Sequence, residues 1–328
     1  MCYTDRKHRQ SLAAQVLGTF RGRADTLALL LAGDIMSAHT RAVLQALFVT
    51  VLWSTSWVLI KVGLDDIPPL TFAGLRYMLA FLCLLPLAWR GGHLRHLVAL
   101  PRADWWRLFR LGVLFYTVTQ GAQFLGLERL PAATVSLLLS FSAALVPLLG
   151  IPLLGETLTR SQWGGIAVYL LGALVYFYPV TIPAGQVVGL LIVLGGVLAT
   201  SLSTVLGREV NRTGEIPALA VTVSSMGIGA TLLLGAGVAA QGMPALNVQN
   251  WVIVAWLAVV NTAFAFTLWN HTQRTLPAAE TGIINNTMLI QIAVLAWVFL
   301  GETLSVREIG GLALAALGTL LVQFRRQG

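Results

Sequence analysis

Leu130-Pro131-Ala132-Ala133 opens a stretch that runs through Gly155-Glu156-Thr157-Leu158 to Gly164-Gly165 and Gly172, and the chain contains this stretch twice. The second copy reads Leu276-Pro277-Ala278-Ala279, then Gly301-Glu302-Thr303-Leu304, then Gly310-Gly311 and Gly318. One offset, 146 residues, relates every pair without a gap, and roughly a third of the aligned positions are identical. Solenoid modules repeat every 20–50 residues or so, so a unit this long is one of two related halves.

Composition says where those halves live. Of 328 residues, 57% are hydrophobic and 10% charged, with mean hydropathy +0.79, against about 25% charged in an average soluble domain. A water-soluble fold has no way to cover that much apolar surface, so the chain reads as an all-α integral membrane protein in a lipid bilayer. The net charge of +8 would suggest nucleic acid in a soluble protein. Here it is explained by loop charges that set topology, and no nucleic-acid partner is expected. Cys2 and Cys83 make no disulfide framework, and no Cys/His spacing calls for a metal or cofactor.

Residues 1–41 form a basic tail with Arg6, Lys7, Arg9, Arg21, Arg23 and Arg41, expected to be disordered and cytoplasmic. Its apolar patch from Leu27 to Ala32 is too short for a span and lacks a cleavage site, which argues against a signal peptide. Translation starts at Met1 or at Met36; both readings stand. Ten spans follow, near 42–63, 70–90, 105–127, 131–151, 161–179, 185–207, 216–240, 250–273, 277–299 and 305–324, each about 20 residues long. The tail, alternate loops and Arg325-Arg326 in the basic end 325–328 hold 17 of the 21 Lys and Arg residues. That asymmetry places both termini in the cytoplasm. A reporter active only outside the cytoplasm should be silent after Gly328 and active near Ala184.

Five spans per half is an odd number, so the second half enters the membrane from the opposite side. The expected plan is two inverted five-helix repeats, 42–180 and 185–324, as in many secondary transporters. Ile67-Pro68-Pro69-Leu70 and Ile216-Pro217-Ala218-Leu219 match more loosely, at an offset of 149. The repeated motifs also have structural readings. Pro131 and Pro277 suit a first helical turn. Thr159-Arg160-Ser161-Gln162 and Ser305-Val306-Arg307-Glu308 have capping-box form. Glu156 and Glu302 are read as turn and cap residues just before those boxes, with proton handling as the alternative. Gly165 with Gly172, and Gly311 with Gly318, lie seven apart on one helical face, where small residues let helices approach closely.

Trp53-Ser54-Thr55-Ser56-Trp57 through Lys61, then Pro68-Pro69 and Leu75-Arg76-Tyr77, together with both Gly-Glu-Thr-Leu copies and their glycines, resemble the EamA family. That family belongs to the drug/metabolite transporter superfamily. The resemblance covers about 42–324 and implies ten spans in two inverted repeats and the export of amino acids or other metabolites. Its motifs identify the family well and the substrate poorly. One departure stands out: the proline usual midway along the fourth helix of each repeat is missing. Ala143 and Leu289 stand near its place, and Pro147 and Pro152 lie further on in the first copy only.

Polar side chains are costly in lipid, so they outline an interior. The candidate cavity set is Trp53, Ser56, Trp57, Arg76, Gln120, Gln123, Ser140, Asn261, Trp269, Asn270, Asn285, Asn286, Thr287 and Gln291. On this reading spans one, three, four, six, eight and nine line the cavity, and five and ten brace it. Asn285-Asn286-Thr287 covers most of a helix circumference, which turns at least one of the three inward. The competing reading is that serines and threonines bond back to their own helix carbonyls, and that Trp53, Trp57 and Trp269 are interfacial anchors. Arg76 either snorkels to the surface or meets an anionic group such as a substrate carboxylate. Glu280, in the first turn of span nine, either stabilises that helix end or couples transport to protons.

Three function classes compete. The leading reading is an exporter of small metabolites in the bacterial inner membrane, acting as a monomer or homodimer. Multidrug efflux and metabolite import are the alternatives within that class. A membrane enzyme would need convergent catalytic groups, and His271 stands without an acid or metal partner in the sequence pattern. A receptor or scaffold is disfavoured because no loop is long enough for a soluble domain.

Overall fold

The computed structural model describes residues 37–92, 95, 97, 100–154, 158–178, 183–212, 216–272, 275–276 and 278–323. The tail up to residue 36 and the basic end 325–328 lie outside the described residues. Internal contacts divide the chain into Met1–Leu44 and Gln45–Gly328, and the helical bundle belongs to the second unit.

Among the described residues the long regular elements are all helical. They are α1 (Ala38–Gly63), α2 (Pro69–Arg90), α3 (Arg102–Leu111, Gly112–Thr119 and Gln120–Arg129 in succession), α4 (Ala132–Ser140 and Ser142–Leu154) and α5 (Arg160–Phe177). Then come α6 (Ala184–Arg212), α7 (Ala218–Gln241), α8 (Val248–Ala258, Val259–Phe264 and Ala265–Thr272), α9 (Ala278–Leu300) and α10 (Val306–Gln323). Seven of these, α1, α2, α4, α6, α7, α8 and α9, are long and apolar enough to cross a membrane. The other three fall short for visible reasons. α3 begins with Arg102, Asp104, Arg107 and Arg110, and the 18-residue helices α5 and α10 spend their first turns on Arg160-Ser161-Gln162 and Arg307-Glu308.

Local chemistry sets the helix starts. Pro69 opens α2 just inside its first turn, where a missing N–H costs nothing. Thr159 caps α5 with the reciprocal Gln162 bonds of a full capping box. At α10 the Glu308 carboxylate accepts from the Ser305 backbone N–H at 2.6 Å, and Ser305 Oγ accepts from the Glu308 N–H at 3.3 Å.

Helices at equivalent places in the two halves pack on one another: α2 on α7, α4 on α9 and α5 on α10. The α5–α10 seam is built from the repeated glycines. A Cβ on Gly172 would stand 2.5 Å from the Ala315 backbone N, and one on Gly318 would run into the Tyr169 backbone N. Backbones therefore meet directly, which only glycine allows here. α4 is interrupted at Phe141, whose N–H bonds to the Leu138 carbonyl at 3.1 Å, one residue short of the α-helical partner. The break stands two residues before Ala143, with no proline at either position.

Candidate functional site

Two π-helical segments interrupt otherwise α-helical elements, Gly112–Thr119 in α3 and Val259–Phe264 in α8. The repeat offset of 146 carries the first onto residues 258–265, so both halves widen the same helix at the same place. In each, a threonine hydroxyl reaches back five residues: Thr119 to the Leu114 carbonyl at 2.9 Å, Thr262 to the Leu257 carbonyl at 2.8 Å. A π segment displaces carbonyls from the regular ladder and re-aims side chains, and such segments recur at functional sites. The Asn261 carbonyl accepts from Trp53 Nε1–H at 3.1 Å.

A cavity of about 450 Å³ opens beside these segments. Trp53 of α1, Phe115 and Tyr116 of α3, and Phe266 and Trp269 of α8 supply its aromatic wall. Trp53 packs against Phe266 and Trp269 with ring centres 5.2 and 5.0 Å apart. Ser203, Thr204 and Gly207 of α6 and Val221, Thr222 and Ser225 of α7 also line it. The hydroxyls of Ser203, Thr204, Thr222 and Ser225 are already donated to carbonyls of their own helices. Their oxygens keep acceptor capacity, so the wall offers aromatic faces, weak acceptors and no charge.

The other residues singled out from the sequence lie elsewhere. Trp57 is buried in the main apolar core with Phe72 and Phe124. Ser56 donates to the Trp53 carbonyl at 2.5 Å, and Ser140 to the Leu137 carbonyl at 2.7 Å. Gln120 is buried and Gln123 half-buried in the α3 segment past the π turn. Asn285 is exposed, while Asn286 is buried and donates to the Ala316 carbonyl of α10 at 2.8 Å. Thr287 and Gln291 belong to a chain of polar contacts between α1 and α9. Gln291 donates to Thr50 Oγ1 at 3.1 Å and to Thr287 Oγ1 at 2.9 Å, and accepts from Ser54 at 2.9 Å. Asn261 is fully buried; its amide donates to the Leu52 carbonyl and to Thr55 Oγ1, and its Oδ1 has no partner among the described residues. Arg76 is buried and bonds Thr262. The side chains of Asn270 and Glu280, and all of Glu156, lie outside the described residues.

Helix α7 contributes to the cavity although sequence reading left it out, and α4 and α9 contribute none of its lining residues. The signal for α7 was present as the pair Ser224-Ser225 inside an apolar run. Phe115 and Tyr116 carried no signal, because they join the wall through the π turn.

The far end of the bundle is held differently. Ala132 and Ala133, at the start of α4, are 0% and 1% exposed, so water cannot satisfy their N–H groups. The Glu302 carboxylate does so across the molecule, with Oε1 accepting from Ala132 at 2.8 Å and Oε2 from Ala133 at 3.4 Å. Glu302 thus caps a helix of the other half rather than the helix that follows it. A charged recess of about 420 Å³ surrounds this cap, with Lys61, Asp65, Glu128 and Arg129 in its wall. Glu302→Ala is expected to lower stability by about 1–2 kcal/mol, the usual worth of an N-cap with favourable charge. A lowered unfolding temperature checks this, and Glu302→Gln, which keeps an acceptor oxygen, should fall by less. No change in either variant would mean the α4 start is satisfied by other groups.

Comparison with known proteins gives a consistent family. The model of the EamA-like transporter family matches residues 40–178 and 187–324. The uncharacterized transporter YvbV of Bacillus subtilis is 27% identical, with 86% of this chain and 92% of that protein covered. A probable amino-acid metabolite efflux pump of Salmonella typhimurium is 26% identical, covering 85% and 93%. An S-adenosylmethionine/S-adenosylhomocysteine transporter of Chlamydia trachomatis is 23% identical, covering 84% and 88%. A solved crystal structure shares the fold at TM-score 0.62 and 20% identity, over 86% of this chain and 97% of that one.

Proposed function

Because this chain belongs to the EamA-like transporter family, we propose that it is a secondary transporter exporting small metabolites, amino acids or related compounds, from the bacterial cytoplasm. The observation that carries this reading is the cavity between α1, α3, α6, α7 and α8, set against the Glu302 cap at the other end. Its volume suits a small metabolite, and its uncharged aromatic wall suits a neutral or zwitterionic one. Two relatives support the substrate class and the membrane: the probable amino-acid metabolite efflux pump of Salmonella typhimurium, and the uncharacterized inner membrane transporter YedA of Escherichia coli, 24% identical over 83% of this chain and 87% of that protein.

In the proposed topology α1–α10 are ten spans in two inverted repeats, with both termini cytoplasmic. Supporting it, the recess around Glu302 draws together the α1–α2, α3–α4 and α9–α10 turns. α4 runs away from that face, so the α4–α5 turn lies at the other one. The α9–α10 turn, its repeat counterpart, therefore sits on the opposite face, as inversion requires. The positive loops then make the cavity end cytoplasmic and the Glu302 end periplasmic. Alternating access becomes an exchange between two packings, of which the Glu302 cap on Ala132 and Ala133 is one. Asn286 and Gln291 on α9 are proposed to take part in that exchange through the Ala316 carbonyl of α10 and through Thr50 and Ser54 of α1. Glu280 is the proposed proton-coupling group, which a dependence of transport on an imposed pH gradient would reveal.

The deciding experiment uses purified protein, as monomer or homodimer, in proteoliposomes. Counterflow of labelled neutral amino acids above protein-free vesicles is expected. Correctly inserted protein that moved none of a broad metabolite panel would overturn the reading.

A further inference from the structure

Arg76 stands one layer behind the cavity wall with a positive charge that no carboxylate among the described residues pairs. It is 4% exposed. Among the described residues the ion pairs are Arg107 with Asp104 and Glu209, and Arg129 with Glu128; none involves Arg76. Its Nε–H donates to Thr262 Oγ1 at 3.1 Å. Thr262 has committed its own proton to the Leu257 carbonyl, so that hydroxyl serves Arg76 purely as an acceptor. The guanidinium carbon lies 5.2 Å from the centre of the Tyr77 ring, and Tyr77 packs edge-on against Tyr116 of the cavity wall. The terminal amino groups of Arg76 have no acceptor among the described residues. Yet the one sealed side-chain polar atom without a partner there is Asn261 Oδ1. The amino groups of Arg76 therefore open onto space that a water-sized group can reach.

We propose that Arg76 anchors an oxyanion of the transported molecule, and that the substrates are small carboxylates or zwitterions bearing one such group. This rests on the transporter reading. A guanidinium stays charged at every accessible pH, and an uncompensated charge inside a bundle is costly. One hydrogen bond and one ring face satisfy part of it. The remaining N–H groups form the planar fork that matches a carboxylate with two parallel bonds. A phosphate brings a second charge that a lone arginine leaves unbalanced. Arg76 is not itself one of the lining residues: its bond to Thr262 of the α8 π segment and its place beside the Tyr77–Tyr116 ring pair set the fork behind that wall, and the proposal lays the apolar body of the molecule against the aromatic faces.

The test is counterflow in proteoliposomes with labelled neutral amino acids and, in parallel, their methyl esters, which lack the carboxylate. Wild type is expected to move the acids in preference to the esters. Arg76→Met should lose about 10- to 100-fold of acid transport, the worth of a charge-assisted pair, and its preference for acids over esters should collapse. Arg76→Lys should fall between. The unfolding temperature of Arg76→Met should hold or rise, because an apolar residue replaces a buried charge. Acid transport at the wild-type rate in Arg76→Met would overturn the proposal. So would an equal loss for acids and esters together with a lower unfolding temperature, which marks a structural role. A wild type that moves esters but not acids sinks the anchor and leaves the transporter standing. Movement of neither class counts against the export reading and removes this proposal with it.

Discussion

Thr222→Trp is expected to cut transport by at least about tenfold while leaving the folded protein intact. Thr222 lines the cavity from α7, is partly exposed, and donates its hydroxyl back to the Ala218 carbonyl at 3.0 Å. Its own packing is therefore light, and a larger side chain has the cavity to enter. An indole there would occupy the space facing Trp53 and Trp269 and stack where a substrate would lie. Loss of a substrate's contacts across one wall is worth at least about tenfold in affinity, since every 1.4 kcal/mol or so is a factor of ten. Counterflow in proteoliposomes measures the effect, and an unchanged unfolding temperature shows that the bundle survived. The control is Leu171→Trp on α5, where the native side chain is already 51% exposed. That variant should transport normally. Normal transport by Thr222→Trp would place the substrate path outside this cavity.

The second large effect separates neighbouring glycines. Gly164-Gly165 and Gly310-Gly311 look alike in the repeat, yet their surroundings differ. A Cβ on Gly164 or Gly310 would meet nothing within 4 Å, whereas one on Gly165 would stand 2.7 Å from the Val322 backbone N, and one on Gly311 2.7 Å from the Tyr176 backbone N. The close atoms are backbone on the facing helix, so relief requires α5 and α10 to separate. Gly165→Ala and Gly311→Ala are expected to cost about 1–3 kcal/mol each by overpacking. Gly164→Ala and Gly310→Ala should be neutral, or more stable by about 0.4–1 kcal/mol through reduced freedom of the unfolded chain. Unfolding temperatures of the four purified variants decide it. Equal behaviour within each pair would mean that the α5–α10 contact is looser than these distances require.

What the sequence determined by itself is whatever depends on local pattern or on repetition. Composition placed the chain in a membrane, and the offset of 146 made two halves. The box Thr159–Gln162 and the box Ser305–Glu308 set helix starts, because a cap acts over three residues of one segment. The glycines seven apart marked a packing face, because helical spacing alone puts them on one side. The identity of that face's partner was not legible, nor which glycine of each pair it uses.

The tertiary structure alone decided where polar side chains find their partners. Asn286 looks the same in sequence whether it meets a substrate or the Ala316 carbonyl, since its amide takes whichever acceptor the neighbouring helix presents. Glu302 reads as a local cap until the fold brings the unsatisfied N–H groups of Ala132 and Ala133 beside it. The π segments are the clearest case. No residue pattern announces them, because one extra residue per turn is offset only by contacts with neighbouring helices: Thr117 with the Gly229 carbonyl, Trp53 with that of Asn261. Those contacts bring Phe115 and Tyr116 into the cavity wall, and they set the surroundings of Arg76. A side chain's type is a property of the chain, but the atom it answers belongs to another helix, and only packing chooses which.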